Sequence, residues 1–316
     1  MTISKTKFAA ASLIRAMIEP HLPGWIEPLW FMTKEEALAV APQAEIGWFD
    51  MYDKADMVEV ISAATQLKWL NSIYAGVDGM PLAQLQAQGT IVTNGTGINA
   101  ITIAEYVVMA MLNIAKGYRQ VMEAAQRQEW LLDSPGKMEL YESKALLIGY
   151  GAIGTLIEER LAAFGVSVTK VRRTPAPDTL SPGEWRGRLG EFDWVILAVP
   201  ATGETDGMIG ADELSAMKST ANLINIARGS VVDQEALITA LHTKQIAGAW
   251  LDVTTPEPLP AGHPLWDTPN AHISMHLSGR AQTLMFQRSA DRFLANLARY
   301  KAGEPLEPVV NLDLGY

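Results

Sequence analysis

Cysteine is absent from all 316 residues. That excludes disulfide stapling, a cysteine nucleophile and a thiolate-held metal, and no metal site is expected. A cysteine-free chain also fits a reducing compartment, so the cytoplasm is the expected location. A basic surplus is missing too. The 25 Lys and Arg residues against 35 Asp and Glu leave a formal net charge of −10, which argues against nucleic acid or an anionic membrane as a partner. No apolar run approaches the ~18–20 residues of a membrane span. Lys5 and Lys7 before Phe8 to Ile14 outline a signal-like segment, but Arg15, Glu19 and Pro20 interrupt it. No small-residue cleavage site follows, and the segment reads as a first strand and helix. Charged residues make up only 19% and apolar residues 48%. This is the composition of a globular chain long enough for two domains.

Strand-like and helix-like segments alternate throughout, which predicts an α/β protein with parallel sheets. Before residue 100 the expected strands are Thr6 to Ala10, Trp25 to Phe31, Glu45 to Phe49, Trp69 to Ile73 and Ile91 to Asn94, with helices such as Lys34 to Val40 and Pro81 to Ala87 between them. Thr102 and Glu105 then have the spacing of a capping box. The apolar repeat from Ile103 to Ala115 predicts a buried helix, lying between domains or against a second subunit. From Lys144 onward come strands at 144–148, 166–171, 194–199, 222–226, 248–252 and 272–275, with helices at 155–164, 210–217 and 233–243. Asp233 is the expected N-cap of the last of these. Residues 174–190 read as a polar loop and 281–300 as a closing helix. Pro305, Pro308, Val309 and Val310 would return the chain to the first domain.

Against that background one motif stands out. Gly149-Tyr150-Gly151-Ala152-Ile153-Gly154 lies between the apolar run Lys144 to Ile148 and a helix-like stretch. A strand, a glycine turn, a helix and a second strand form the unit that binds dinucleotides. Gly149 permits the turn, Gly151 lets backbone approach the pyrophosphate, and Gly154 lets helix and strand pack closely. The helix N-terminus offers N–H groups and a positive dipole end to the phosphates. At the end of the second strand, where an NAD-preferring unit usually has an acid, stand Arg172 and Arg173. Two cations there suit the extra phosphate of NADP. NADPH is therefore the favoured cofactor, with NADH possible.

Three ionisable residues follow expected strands: Arg228 in Asn225-Ile226-Ala227-Arg228-Gly229, Glu257 between Pro256 and Pro258, and His276 after Ile273-Ser274-Met275. In open parallel sheets the carboxyl ends of strands face the ligand crevice, so all three could converge beside a nicotinamide. Arg228 is a permanently charged fork suited to an anion. Histidine, with an unperturbed pKa of about 6.5, suits proton transfer near neutrality. Glu257 would fix the ring and favour its charged form.

GYGAIG, residues 222–237 (NLINIARGSVVDQEAL), 247–260 (AGAWLDVTTPEPLP) and 275–279 (MHLSG) closely resemble the D-isomer-specific 2-hydroxyacid dehydrogenases. Ser72 to Asp78 and Thr102 to Val107 also look like family segments, so the resemblance covers nearly the whole chain. The resemblance implies two Rossmann-like or flavodoxin-like parallel-sheet domains with a cleft between them. Residues 1–99 with about 284–316 would form the substrate domain. Residues 100–283, including a linker helix at about 102–116, would form the dinucleotide-binding domain. It implies Arg228, Glu257 and His276 as catalytic residues and Ala75 and Gly76 as a backbone clamp on the substrate carboxylate. It also implies Asp252 as the hold on the nicotinamide carboxamide, and cofactor contacts that extend to Ala152, Ile153, Thr174, Pro200, Ile226, Ala227, Arg228, His276 and Gly279. Trp48 is a candidate wall of the substrate pocket. A homodimer is expected.

Within the family the arginine pair makes the chain look most like the NADPH-preferring glyoxylate/hydroxypyruvate reductases. It departs from the usual pattern at Met275, where proline is common, at Ala281, where threonine is common, and at the added charge of Arg280. These put the substrate's identity in doubt rather than the acid–base chemistry. The alternatives are a bulkier 2-oxo acid, of phenylpyruvate or ketogluconate type, or a nucleotide-sensing corepressor-like binding protein on the same fold. Formate dehydrogenases carry an amide in place of the acidic partner, so Glu257 argues against them.

Overall fold

The computed structural model describes residues 5–77, 79–174 and 176–315, and Asp78 lies outside them. The chain divides into two compact units, Met1–Asn99 with Gln282–Tyr316, and Ala100–Ala281. In the first, strands β1 (Thr6–Ala11), β2 (Ile26–Phe31), β3 (Ile46–Trp48), β4 (Trp69–Asn71) and β5 (Ile91–Thr93) form a parallel sheet in the order β2-β1-β3-β4-β5. Successive strand side chains point to opposite faces. Phe8 and Ala10 therefore enter one core layer and Ala9 the other, and Trp69 and Leu70 divide in the same way. Both faces are covered, so Phe8, Ala9 and Ala10 form a continuous buried apolar run in β1. The helix Met285–Ala302 covers one face and buries Ser289, Ala290, Phe293, Asn296 and Leu297 at helical spacing. The Phe293 ring stacks on Phe8 at 4.7 Å and on Trp69 at 5.0 Å, and burying one such side chain is worth about 1.5–3 kcal/mol. Beyond the helix, Val310 N–H donates to Val92 O at 2.8 Å, tying the C-terminal segment to β5.

The second unit holds a seven-stranded parallel sheet: β6 (Lys144–Ile148), β7 (Ser167–Val171), β8 (Thr179–Leu180), β9 (Trp194–Leu197), β10 (Asn222–Asn225), β11 (Gly248–Leu251) and β12 (Ala271–Ile273), in the order β12-β11-β10-β9-β6-β7-β8. The chain winds outward from β6 in one direction and then from β9 in the other. The order therefore reverses between β6 and β9, the switch point at which such sheets take ligands. Leu146 and Ile148 pack into one layer, Ala145 and Leu147 into the other.

Three expectations need correction. The helix Ala100–Lys116 begins before Thr102, so Thr102 is no cap; its hydroxyl donates to Ala281 O at 3.0 Å. The apolar stripe of this helix packs within its own unit, with Ala104, Val107 and Met111 in one core layer with Ile157 and Leu161 of the helix Ala152–Ala163. The segment 174–190 is not simply a polar loop: it supplies edge strand β8, and Trp185 is fully buried in the core. Asp233 does cap its helix, accepting from Ala236 N–H at 3.0 Å. Among the described residues no single helix is long and apolar enough to cross a membrane.

Candidate active site

β6 ends at Ile148, and the helix Ala152–Ala163 starts almost at once. Gly149 makes the turn at φ +104°, with its N–H donating to Val171 O at 3.1 Å. A Cβ on Gly149 would lie 2.4 Å from Ala198 O, just past the end of β9, and one on Gly154 would lie 2.6 Å from Gly149 O. Gly151 is the helix N-cap and carries no side chain to cap with, while nothing lies within 4 Å of where its Cβ would be. Gly151 and Ala152 are exposed at this helix N-terminus, which suits an anion. Arg172, Arg173 and Thr174 follow directly on Val171 and are exposed. The bond from Gly149 to Val171 places this cationic strand end beside the glycine turn. A dinucleotide diphosphate fits the turn. Pro200, also exposed, opens the loop after β9.

Arg228 follows β10. Asn225, buried at the end of that strand, accepts from Ala227 N–H at 3.0 Å and donates to Arg228 O at 2.9 Å, so one amide closes the turn over buried Ile226 and Ala227. Gly229 presses against the loop after β11, where a Cβ would lie 2.1 Å from Thr254 O. Only glycine allows that approach, and it brings the Arg228 turn up to the loop carrying Glu257. Glu257 Oε1 accepts from Thr254 N–H at 3.1 Å, and Oε2 lies 2.8 Å from His276 Nδ1. Burial pushes the Glu257 carboxyl up, but the hydrogen bond and charge of His276, the Thr254 N–H and the charge of Arg228 together outweigh it and hold it below the usual value.

Met275 and His276 both adopt left-handed φ, +55° and +56°. Such residues persist where the surroundings over-determine them, and here Asp252 does so. The Asp252 carbonyl accepts from His276 N–H at 2.5 Å. Its carboxylate, only 2% exposed, takes the Ser274 hydroxyl at 2.7 Å, Leu277 N–H at 3.1 Å and Ser278 N–H at 3.2 Å, together with the Ser278 hydroxyl. Trp250 Nε1–H donates in turn to Ser274 Oγ at 3.0 Å. Asp252 therefore fastens the turn that presents His276, and Gly279 follows that turn.

Sequence reasoning overlooked Asn225 and the fastening role of Asp252. The only available signal was a polar residue closing an otherwise apolar strand.

In the first unit, Ala75 is exposed and Gly76 half-buried in the loop after β4. Among the described residues neither N–H has a hydrogen-bond partner. Trp48 is 2% exposed; its ring lies 5.3 Å from Phe293 in the core and its Nε1–H donates to Asp50 at 2.6 Å. It is a core residue and not a pocket wall, which corrects the expectation for it.

Residues 108–278 match the family model for the D-isomer specific 2-hydroxyacid dehydrogenase NAD-binding domain. The glyoxylate reductase of Thermofilum pendens is 32% identical over 90% of this chain and 86% of its own length. The mouse glyoxylate reductase/hydroxypyruvate reductase is 32% identical over 78% of each. Among solved structures, the NADPH-dependent glyoxylate/hydroxypyruvate reductase from Sinorhizobium meliloti, in complex with NADP and malonate, superposes with a TM-score of 0.80 at 26% identity, covering 98% of both chains. With a family match over more than half its length and relatives of this identity, the chain is a member of the D-isomer-specific 2-hydroxyacid dehydrogenases and an oxidoreductase with that family's NAD-binding domain.

Proposed function

We propose that this protein is an NADPH-dependent reductase of small 2-oxo acids, of the glyoxylate and hydroxypyruvate type, forming the D-2-hydroxy acid. The observation that carries the reading is the 2.8 Å contact of His276 Nδ1 with Glu257 Oε2 at the carboxyl ends of adjacent strands, with Arg228 held against the same loop. With Nδ1 engaged by Glu257, Nε2 is the atom that delivers a proton. The bound nicotinamide supplies the hydride. His276 gives its proton to the carbonyl oxygen, and Glu257 stabilises the charged ring and keeps it oriented. Arg228 binds the substrate carboxylate and polarises the carbonyl. In the first unit, the N–H groups of Ala75 and Gly76, without a hydrogen-bond partner among the described residues, suit a substrate carboxylate. Gly149, Gly151, Ala152, Ile153 and Gly154 receive the diphosphate, Arg172, Arg173 and Thr174 the 2′-phosphate. Pro200, Ile226, Ala227 and Gly279 complete the cofactor surface; Asp252, 2% exposed and with both carboxylate oxygens engaged by residues 274–278, supports the His276 turn instead of holding the carboxamide. By this reading residues 100–281 bind the dinucleotide, and the other unit serves the substrate.

The test is oxidation of NADPH and NADH over a panel of 2-oxo acids, with the Arg172→Ala/Arg173→Ala double variant alongside. Hydroxypyruvate or glyoxylate should rank first with NADPH. The double variant should raise the KM for NADPH at least about tenfold while leaving that for NADH within about twofold. Equal effects on both cofactors reject the arginine assignment. A kcat/KM for glyoxylate more than roughly a hundredfold below that of a bulkier acid moves the substrate class to that acid.

A further inference from the structure

Asp50 lies in the first unit, two residues past the end of β3, and the reaction proposed above gives it no part. Its Oδ1 accepts from the Ser72 hydroxyl at 2.6 Å, and its Oδ2 from Ile73 N–H at 2.5 Å and Trp48 Nε1–H at 2.6 Å. All three donors are neutral, and no cation pairs with it among the described residues. Asp50 is half-buried; withdrawing a carboxylate from water among neutral donors is costly, and this pushes its pKa up to about 6 although the three donors counter it. A costly polar group deserves a structural reason, and the turn it holds provides one.

The Ser72 hydroxyl commits its hydrogen to Asp50 and accepts from Tyr74 N–H at 3.1 Å. From the other side, Asn94 Nδ2 donates to Ala75 O at 2.6 Å and Gly95 N–H to Tyr74 O at 2.9 Å. Gly95 sits so close that a Cβ would lie 1.9 Å from Ile73 O. The inward polar groups of residues 72–75 are thereby occupied one by one. The next two N–H groups along the chain, those of Ala75 and Gly76, are left without a partner among the described residues.

We propose that Asp50 is a positioning residue for substrate binding: through Ser72 and Ile73 it fixes the turn so that the Ala75 and Gly76 N–H groups are set in advance for the substrate carboxylate. The inference rests on the reading in which those two groups hold the carboxylate. A carboxylate suits the task because it is acceptor-only on both oxygens, so neither the Ile73 N–H nor the Ser72 hydroxyl can be turned away by a competing donor. Binding then costs less ordering of the loop.

The test compares the full chain with Asp50→Ala, Asp50→Asn and Ser72→Ala. For each, KM and kcat for the best 2-oxo acid, NADPH affinity by nucleotide fluorescence, and amide exchange at Ile73 and Tyr74 are measured. Asp50→Ala should raise KM at least about tenfold, with kcat within about threefold of wild type and NADPH affinity unchanged. Asparagine keeps one acceptor oxygen for Ile73 and Trp48 but turns an amide donor toward the Ser72 hydroxyl, so it should recover only part of the loss. Ser72→Ala should show a smaller KM rise, and exchange at Tyr74 should quicken in both Ser72→Ala and Asp50→Ala. An unchanged KM in Ser72→Ala and Asp50→Ala overturns the proposal, as does a parallel decline of KM, kcat and NADPH affinity, which marks a general folding role. If Asp50→Ala does not fold, Ser72→Ala and Asp50→Asn decide: wild-type KM and wild-type exchange in both reject it. Absence of 2-oxo acid turnover by the wild-type chain instead defeats the functional reading on which it stands.

Discussion

Glu257 and Asp50 are carboxylates in different units, each engaged through both oxygens, and they answer burial in opposite directions. Burial raises both. At Glu257 the hydrogen bond and charge of His276, the Thr254 N–H and, least of these, the charge of Arg228 outweigh it and the carboxyl stays low; at Asp50 three neutral donors do not, and it rises to about 6. The depth of burial decides as much as the partners: Glu257 lies in an exposed loop and its hydrogen bonds and charged neighbours prevail, whereas three donors at 2.5–2.6 Å do not offset the desolvation of Asp50. The difference separates two kinds of work. Glu257 belongs to a charge-bearing couple suited to moving a proton, whereas Asp50 belongs to a scaffold of neutral groups suited to holding backbone in place.

The comparison breaks first at the proton donor. His276→Ala should lower kcat by about 10²–10⁴ with NADPH affinity intact, and near-normal turnover removes His276 from the chemistry. Glu257→Gln keeps the size and an acceptor oxygen but removes the charge, so its loss should be smaller, on the order of 10² in kcat. A kcat equal to wild type would make Glu257 a loop carboxylate like any other.

The smallest effect is on stability, and its sign sharpens the contrast. Asp50 has its folded-state pKa raised from 3.8 to about 6. Its contribution is fully present below about pH 4 and is lost as pH rises through 6, by on the order of 2–3 kcal/mol. Glu257 is lowered from 4.5, so its contribution is present above that value and is lost as pH falls through the folded pKa. In thermal unfolding from pH 3 to 8, the Tm of wild type relative to Asp50→Asn should fall with rising pH. Relative to Glu257→Gln it should climb. Slopes of the same sign contradict the assignment of the two sites.

How much of this could be read from the sequence depended on locality. The turn Gly149 to Gly154 is contiguous between β6 and its helix, and each glycine answers to a neighbour a few residues away or to the adjacent strand. Arg228, Glu257 and His276 could be traced because each follows a strand of one parallel sheet, whose carboxyl ends lie along a common edge. Strand ends were less legible. Val199 continues the apolar run of β9, but pairing stops at Leu197, where the chain bends over Gly149. The capping box at Thr102 had the right spacing, but the helix begins upstream and the hydroxyl serves Ala281. Asp50 was invisible. Its hydrogen-bond partners in the turn lie more than twenty residues away in the chain, at Ser72 and Ile73, and no local pattern announces a carboxylate that supports a turn elsewhere.

The central claim is that Glu257 acts through His276, the two forming one proton-donating unit beside Arg228. A double-mutant cycle on kcat addresses it most directly, comparing His276→Ala, Glu257→Gln and the two combined. If the account holds, the double variant is no slower than His276→Ala alone, within about twofold. Losses that multiply, so that the double variant falls below His276→Ala by the full Glu257→Gln factor, would contradict it.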